Sequence, residues 1–244
     1  MDTMGIFSAL TGTLVNGATV IAGGLLGIAL GRGLPERLGK ALMTALGFCV
    51  LYIGITGALE GQNTLAIILS LIFGTLIGEG LDLDKQVNRL GQWVEKTLNK
   101  GGGRVSLAEG FVNATLLFCV GAMTIVGSLN SGLTGDHTTL YTKACLDFVS
   151  ATVFASTMGL GVVLSAAAVF VLQGSIALLA HWIAPLLSAA VIADMTCVGS
   201  LLIVGLSLNL LGITKFKIMN FVPAIFLAML MTPIYTWSAA WFAR

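Results

Sequence analysis

The sequence predicts an all-α polytopic membrane protein: about eight transmembrane helices in a single domain over 1–244, with an inverted repeat and one cytoplasmic interfacial helix in the connection 81–107. Three observations predict it. Of the 244 residues, 57% are hydrophobic and 9% charged, against roughly 45–50% and 25% in soluble domains, so there are too few charges to cover a water-facing surface. The charges also cluster, leaving charge-free runs at 3–31, 41–59, 61–78, 110–135, 148–193, 195–214 and 218–243. About 20 apolar residues cross a bilayer core, and nearly every run reaches that length. Finally, ten of the twelve Lys/Arg fall in three connections: Arg32, Arg37 and Lys40; Lys85, Arg89, Lys96, Lys100 and Arg104; Lys215 and Lys217.

The first span is read at 8–31. Met1-Asp2-Thr3-Met4-Gly5 lacks the basic start of a cleaved signal peptide, and the apolar run behind it exceeds an ordinary signal core. Gly23, Gly27 and Gly31 recur every four residues along it, a smooth stripe for close helix contact, expected here inside the chain or as a homo-oligomer face. Spans two and three follow at 41–60 and 63–80. In the connection behind them, Val87, Leu90, Val94 and Leu98 recur at helical spacing with Trp93 alongside, the pattern of a helix lying on the membrane surface. Gly101-Gly102-Gly103 then breaks any helix.

Span four is read at 108–129 and span five at 139–158. Cutting the longest run at Gly159, Gly161 and Pro185 gives spans six and seven at 160–181 and 186–210, and the last lies at 217–241. With eight spans the three basic connections share one side. Lys/Arg excess marks the cytoplasm, which puts both termini outside.

Two internal likenesses suggest duplication. Cys119 to Gly127 matches Cys197 to Gly205 at six of nine positions, and Cys49 to Gly61 matches Ser200 to Gly212 at Leu51/Leu202, Gly54/Gly205, Leu59/Leu210 and Gly61/Gly212. An odd helix shift inverts a repeat, the design of many secondary transporters. The preferred pairing sets spans one to three against six to eight.

Several function classes are excluded or left without support. A net charge of +1 gives no basic field for nucleic acid. There is no metalloprotease His-Glu pattern, no phosphate-cradling loop and no Gly-x-Ser-x-Gly elbow, so no enzyme is expected. Neither cofactor nor metal spacing is visible, and the four cysteines sit in apolar runs as small hydrophobes.

The candidate pathway residues are polar groups at membrane depth. Asp147 and Asp194 each lie about 12 Å below their predicted outer ends at helical rise, where an ionisable group costs at least ~2.5–3.5 kcal/mol on insertion scales and marks a pathway or relay. Lys143, four residues before Asp147, offers the alternative of a structural ion pair. The stretch Gly127 to Asp136, with Ser128, Asn130 and Thr134, is too rich in Gly, Ser and Asn for an ordinary helix exit and reads as unwound backbone, either lining a wet cavity or forming an outer loop. Asn113 and Gln173 are interhelical polar contacts or cavity groups, and Glu79, between Gly78 and Gly80, is a solvated helix end or a gate. A polar cavity reaching both aspartates would favour transport, whereas a dry, ion-paired arrangement would favour a scaffold or sensor. Asp194, with no charged neighbour in sequence, is the sharper of the two acids, and Asp194→Asn is expected to fold and lose flux.

The stretch Leu117-Phe118-Cys119-Val120-Gly121-Ala122-Met123-Thr124-Ile125-Val126-Gly127-Ser128 through Gly135-Asp136, then Thr142-Lys143-Ala144-Cys145-Leu146-Asp147, resembles a bacterial family, the YdfK/YqgA-like membrane proteins of domain of unknown function 554. Leu34-Pro35-Glu36-Arg37, Leu76-Ile77-Gly78-Glu79, and Gly212-Ile213-Thr214-Lys215 before Asn220-Phe221-Val222-Pro223-Ala224 extend it over essentially the whole chain. The resemblance implies a polytopic inner-membrane protein and transfers no activity and no site residue. The residues themselves point to a small transporter or channel for an ion or small solute in a lipid bilayer, with the scaffold or sensor as the alternative.

Overall fold

The structure, a computed structural model, describes residues 3–31, 35–97 and 107–242. The Gly101-Gly102-Gly103 joint and Leu98 lie outside the described residues. Among those described, every regular element is helical: α1 Thr3–Gly31, α2 Glu36–Ala58, α3 Thr64–Leu81, α4 Leu83–Thr97, α5 Leu107–Cys119, α6 Ala122–Thr134, α7 Thr138–Met158, α8 Leu160–Leu178, α9 Ala180–Ile183, α10 Ala189–Leu210 and α11 Pro223–Phe242, with single 3₁₀ turns at Ala184–Leu186 and Ile218–Phe221. The chain is an all-α polytopic membrane protein. Among the described residues, six helices are long and apolar enough to cross a bilayer, and a seventh span is counted if α5 and α6, bent by 63°, act together. The eighth long helix of the sequence count is α7, whose 21 residues are diluted by Lys143, Asp147 and many Thr and Ser.

The amphipathic stretch after span three forms α4, as its spacing predicts. It follows α3 after a one-residue corner. Asp82 takes a left-handed conformation there (φ 46°, ψ 55°), with its N–H directed to the carbonyls of Gly78 and Glu79. The corner is latched at 3.5 Å by Lys217 and by the Asp84 amide, which donates to Asn220 Oδ1 at 2.7 Å.

Two breaks follow from glycine. Gly159, at φ 70°, separates α7 from α8 where the sequence cut falls. Gly121, at φ 122°, separates α5 from α6, so the unwinding expected after Gly127 lies before it instead. Residues 122–134 are regular α-helix, and the polar run Ser128 to Thr134 is a helix end rather than unwound backbone. Its local tendency to turn is satisfied within the helix, where the Thr134 hydroxyl donates back to the Asn130 carbonyl at 2.9 Å. The break also separates the matched stretches: Cys119 to Gly127 crosses a bend, whereas Cys197 to Gly205 lies inside continuous α10. Their likeness is therefore not a shared local structure. The turn into α7 is built on exposed Asp136, where the Thr138 amide donates to Oδ1 at 2.9 Å and holds the carboxyl below its ordinary range.

The chain forms two compact units, Met1–Leu46 with Val87–Ile183, and Gly47–Gln86 with Ala184–Arg244. In the first, the Gly23/Gly27/Gly31 stripe lies directly on the backbone carbonyls of Phe148, Thr152 and Ser156. The numbers rise together, so α1 and α7 run parallel, and a Cβ at any of the three positions would collide with backbone. The stripe is an internal seam, not the protomer face considered from sequence. Gly24 faces Val163 while Gly174 faces Leu10 and Thr13, so α8 runs antiparallel to α1. In the second unit, Gly47, Gly54, Gly57 and Gly61 meet Leu211, Val204, Ser200 and Cys197, so the α2 half in this unit runs antiparallel to α10. Gly74 and Gly78 on α3 seat against Ala224 and Asn220. α10 is the most buried of the six spans and forms the centre of its unit.

Candidate functional site

In the first unit, the i,i+4 spacing on α7 stacks Lys143 over Asp147 on one helix face. Lys143 Nζ is 2.8 Å from both Asp147 oxygens, and both residues are buried. The parallel α1 seam brings in Asn16, whose Nδ2 donates to Asp147 Oδ2 at 3.0 Å. The pair is thus self-neutralising and held by an amide from a second helix.

Around it stand polar groups that find no partner. Among the described residues, Thr13 Oγ1, Asn16 Oδ1, Ser128 Oγ and both side-chain heteroatoms of Gln173 are buried without a hydrogen bond, and all four residues have no exposed surface. Helix register sets them at one level. Antiparallel packing puts Gln173, next to Gly174, beside Thr13. On α6, the Ser131 hydroxyl donates to the Ala9 carbonyl at 2.7 Å, and Gly127 touches Leu140, which also touches Gly12. Ser128 therefore lies level with Thr13. α6 and α8 both oppose α1, and Gly132 meets Ala177, so one turn earlier Ser128 approaches the level of Gln173. Four helices, α1, α6, α7 and α8, contribute to this layer. Buried polar groups are normally paired, and an unpaired one costs about 1–3 kcal/mol. Five such atoms share the level of one ion pair.

Asp194, in the second unit, is also fully buried, but every lone-pair direction is used. Its Oδ1 accepts the backbone amides of Gln62 at 2.8 Å and Asn63 at 3.0 Å, and its Oδ2 accepts Asn63 Nδ2 and the Thr232 hydroxyl, each at 2.8 Å. The carboxylate sits at the N-terminus of α3, where free amides and the helix dipole favour an anion. It fastens the α2–α3 connection to α10 and α11. Its partners all lie in its own unit and none comes from Ser128 to Thr134, so the shared cavity expected from sequence is not what surrounds it.

The remaining sequence candidates are dispersed. Asn113 is buried with Nδ2 3.7 Å from Met158 Sδ, Asn130 is half-buried, and Thr134 and Glu79 are exposed. Gly78 beside Glu79 is the close-packing residue of that trio, and Gly80 faces open space. Of the four glycines that the matched stretches Cys119 to Gly127 and Cys197 to Gly205 share, Gly127 and Gly205 are packed, Gly199 is buried and Gly121 is open.

Sequence reasoning missed Thr13, Asn63 and Thr232. A signal existed for Asn63: Asn16, Gly27 and Gly31 on α1 recur as Asn63, Gly74 and Gly78 at the same spacings. Each unit also holds an Asn–Asp bond between residues 131 apart in sequence.

Comparison with known proteins supplies a family. The model of the family described as "Protein of unknown function (DUF554)" matches residues 11–233. The chain belongs to this family. Among its relatives, "Uncharacterized protein YqgA" of Escherichia coli (strain K12) is 34% identical over 235 residues, 95% of this chain and 99% of the relative. "Uncharacterized membrane protein YdfK" of Bacillus subtilis (strain 168) is 34% identical over 218 residues, 88% and 92% of the two chains. No solved structure matches this one. In this DUF554 protein, the unpaired layer of the first unit and the saturated carboxylate of the second both fall within the matched range, from Thr13 to Thr232.

Proposed function

We propose that this DUF554 protein is a small, non-enzymatic transporter or channel of the bacterial inner membrane, with both termini outside, and that its solute or ion passes through the layer of Thr13, Asn16, Ser128, Lys143, Asp147 and Gln173. The observation that carries the reading is the set of five buried polar atoms without protein partners beside a buried ion pair. In a helix bundle that must satisfy polar groups internally, such a set has a use when a polar guest completes it. The orientation rests on the three Lys/Arg-rich connections.

Inversion of a repeat is not needed for this reading. The Asn-Gly-Gly likeness of α1 and α3, with the Asp147/Asp194 correspondence, shifts the chain by two spans, and an even shift keeps direction. The inverted pairing of spans one to three with six to eight remains a second way to relate the halves.

One observation favours the scaffold or sensor: Asp147 is ion-paired with Lys143, and Asp194 is saturated by neutral donors. Thermal unfolding of the purified protein against a panel of ions and small metabolites separates the two. A ligand that binds only the folded state stabilises it by about 2.7 kcal/mol at one hundred times its Kd, so transport predicts one solute class that raises the midpoint and loses its effect in Ser128→Ala. A panel without any response favours the scaffold.

A further inference from the structure

The charge and hydrogen-bonding inventory of the layer narrows the solute. Resting on the transport reading above, we propose that the first unit accepts a small uncharged solute rich in hydroxyl or amide groups. Lys143 Nζ contacts both oxygens of Asp147 at 2.8 Å, and the Asn16 amide adds a third hydrogen bond to the carboxylate. No formal charge is left over to offset an incoming ion. An ion entering this layer would give up its hydration without a counter-charge, the costliest transfer into a low-dielectric interior. A guest that opened the pair would leave one of two buried charges uncompensated unless it carried both signs itself.

What the layer does offer is a mixed set of neutral groups. Asn16 Oδ1 and Gln173 Oε1 accept, Gln173 Nε2 donates, and the Thr13 and Ser128 hydroxyls do either. A cation shell needs acceptors only, whereas an alcohol or amide both gives and takes hydrogen bonds and matches this set. The groups come from three helices, α1, α6 and α8, around the ion pair on α7, so several short hydrogen bonds can form on a guest of few atoms.

The test is solute flux into proteoliposomes holding the full chain, with glycerol and urea as uncharged probes, sodium and chloride as ionic probes, and glycine as a zwitterion. The proposal expects glycerol or urea to enter at least tenfold faster than into protein-free vesicles, with Gln173→Met and Ser128→Ala each removing most of that gain. It also expects Gln173→Met to keep or raise the unfolding midpoint, because an unpaired amide leaves an apolar interior. That combination is one a merely structural Gln173 would not produce, and Ser128→Ala carries the test should Gln173→Met not fold. Flux of ions or glycine alone, sensitive to Gln173, would overturn the neutral-solute inference and leave transport standing. Uncharged flux indifferent to both substitutions would place the route elsewhere and overturn the inference. Vesicles impermeable to every probe would overturn both.

Discussion

Lys143→Met is expected to destabilise the folded protein by about 3–5 kcal/mol, the usual cost of stripping one partner from a buried ion pair. Methionine keeps most of the aliphatic stem, so little volume is lost. The Asp147 carboxylate then has only the Asn16 amide, 3.0 Å away, in place of an ammonium at 2.8 Å. The parallel α1–α7 seam runs through these residues, so the penalty falls on the most extensive helix–helix contact of the first unit. Removing both charges, as Lys143→Met with Asp147→Leu, should recover most of the loss, because a buried pair is often replaceable by apolar residues of similar volume. Thermal or denaturant unfolding in detergent measures both variants. A single variant as stable as the parent would mean that the pair is not buried in the folded protein.

Asp194→Asn should cost about 2–4 kcal/mol, as hydrogen bonds to a charged group weaken to neutral strength. The new amide oxygen can still take the Gln62 and Asn63 backbone donors, but its NH₂ faces the Asn63 NH₂ and the Thr232 hydroxyl, both of which now donate to Oδ2. The sequence alone suggests a variant that folds and loses transport. The geometry reverses that expectation, because the carboxylate anchors α3 and its own four hydrogen bonds leave it no part in the unpaired layer of the first unit. Protein that does fold should keep its solute response, since the unpaired layer belongs to the other unit. Unfolding midpoints measured with and without solute read both effects, and unchanged stability would contradict the structural role.

Helix positions were legible because the bilayer imposes a coarse, length-based code: runs of about 20 apolar residues, interrupted by glycine and charge. Gly159 shows this well, since the predicted cut and the observed positive φ coincide. The stretch after Gly127 shows the limit. Ser, Asn and Gly favour turns locally, but packing of Gly132 on Ala177 and the Ser131 hydrogen bond to Ala9 keep the segment helical, a tertiary override of propensity. Lys143 and Asp147 could be paired from spacing alone because the contact lies within one helix. The partners of Asp194 come from two parts of the chain far from it, Gln62-Asn63 and Thr232, and only the fold brings them together. Thr13 drew no notice in sequence, because a threonine in a span is ordinary unless its hydroxyl lacks a partner.

Transport through the layer of the first unit requires that polar solutes reach it from outside the protein. Ser128→Cys, in a chain whose Cys49, Cys119, Cys145 and Cys197 are replaced by alanine, tests it with a small water-soluble thiol reagent on folded protein in native membranes. Reaction at position 128 is expected while the protein is folded, slowed by the solute that stabilises it. A cysteine there that stays unreactive until the protein is denatured would show a sealed, structural layer and would rule out passage through it.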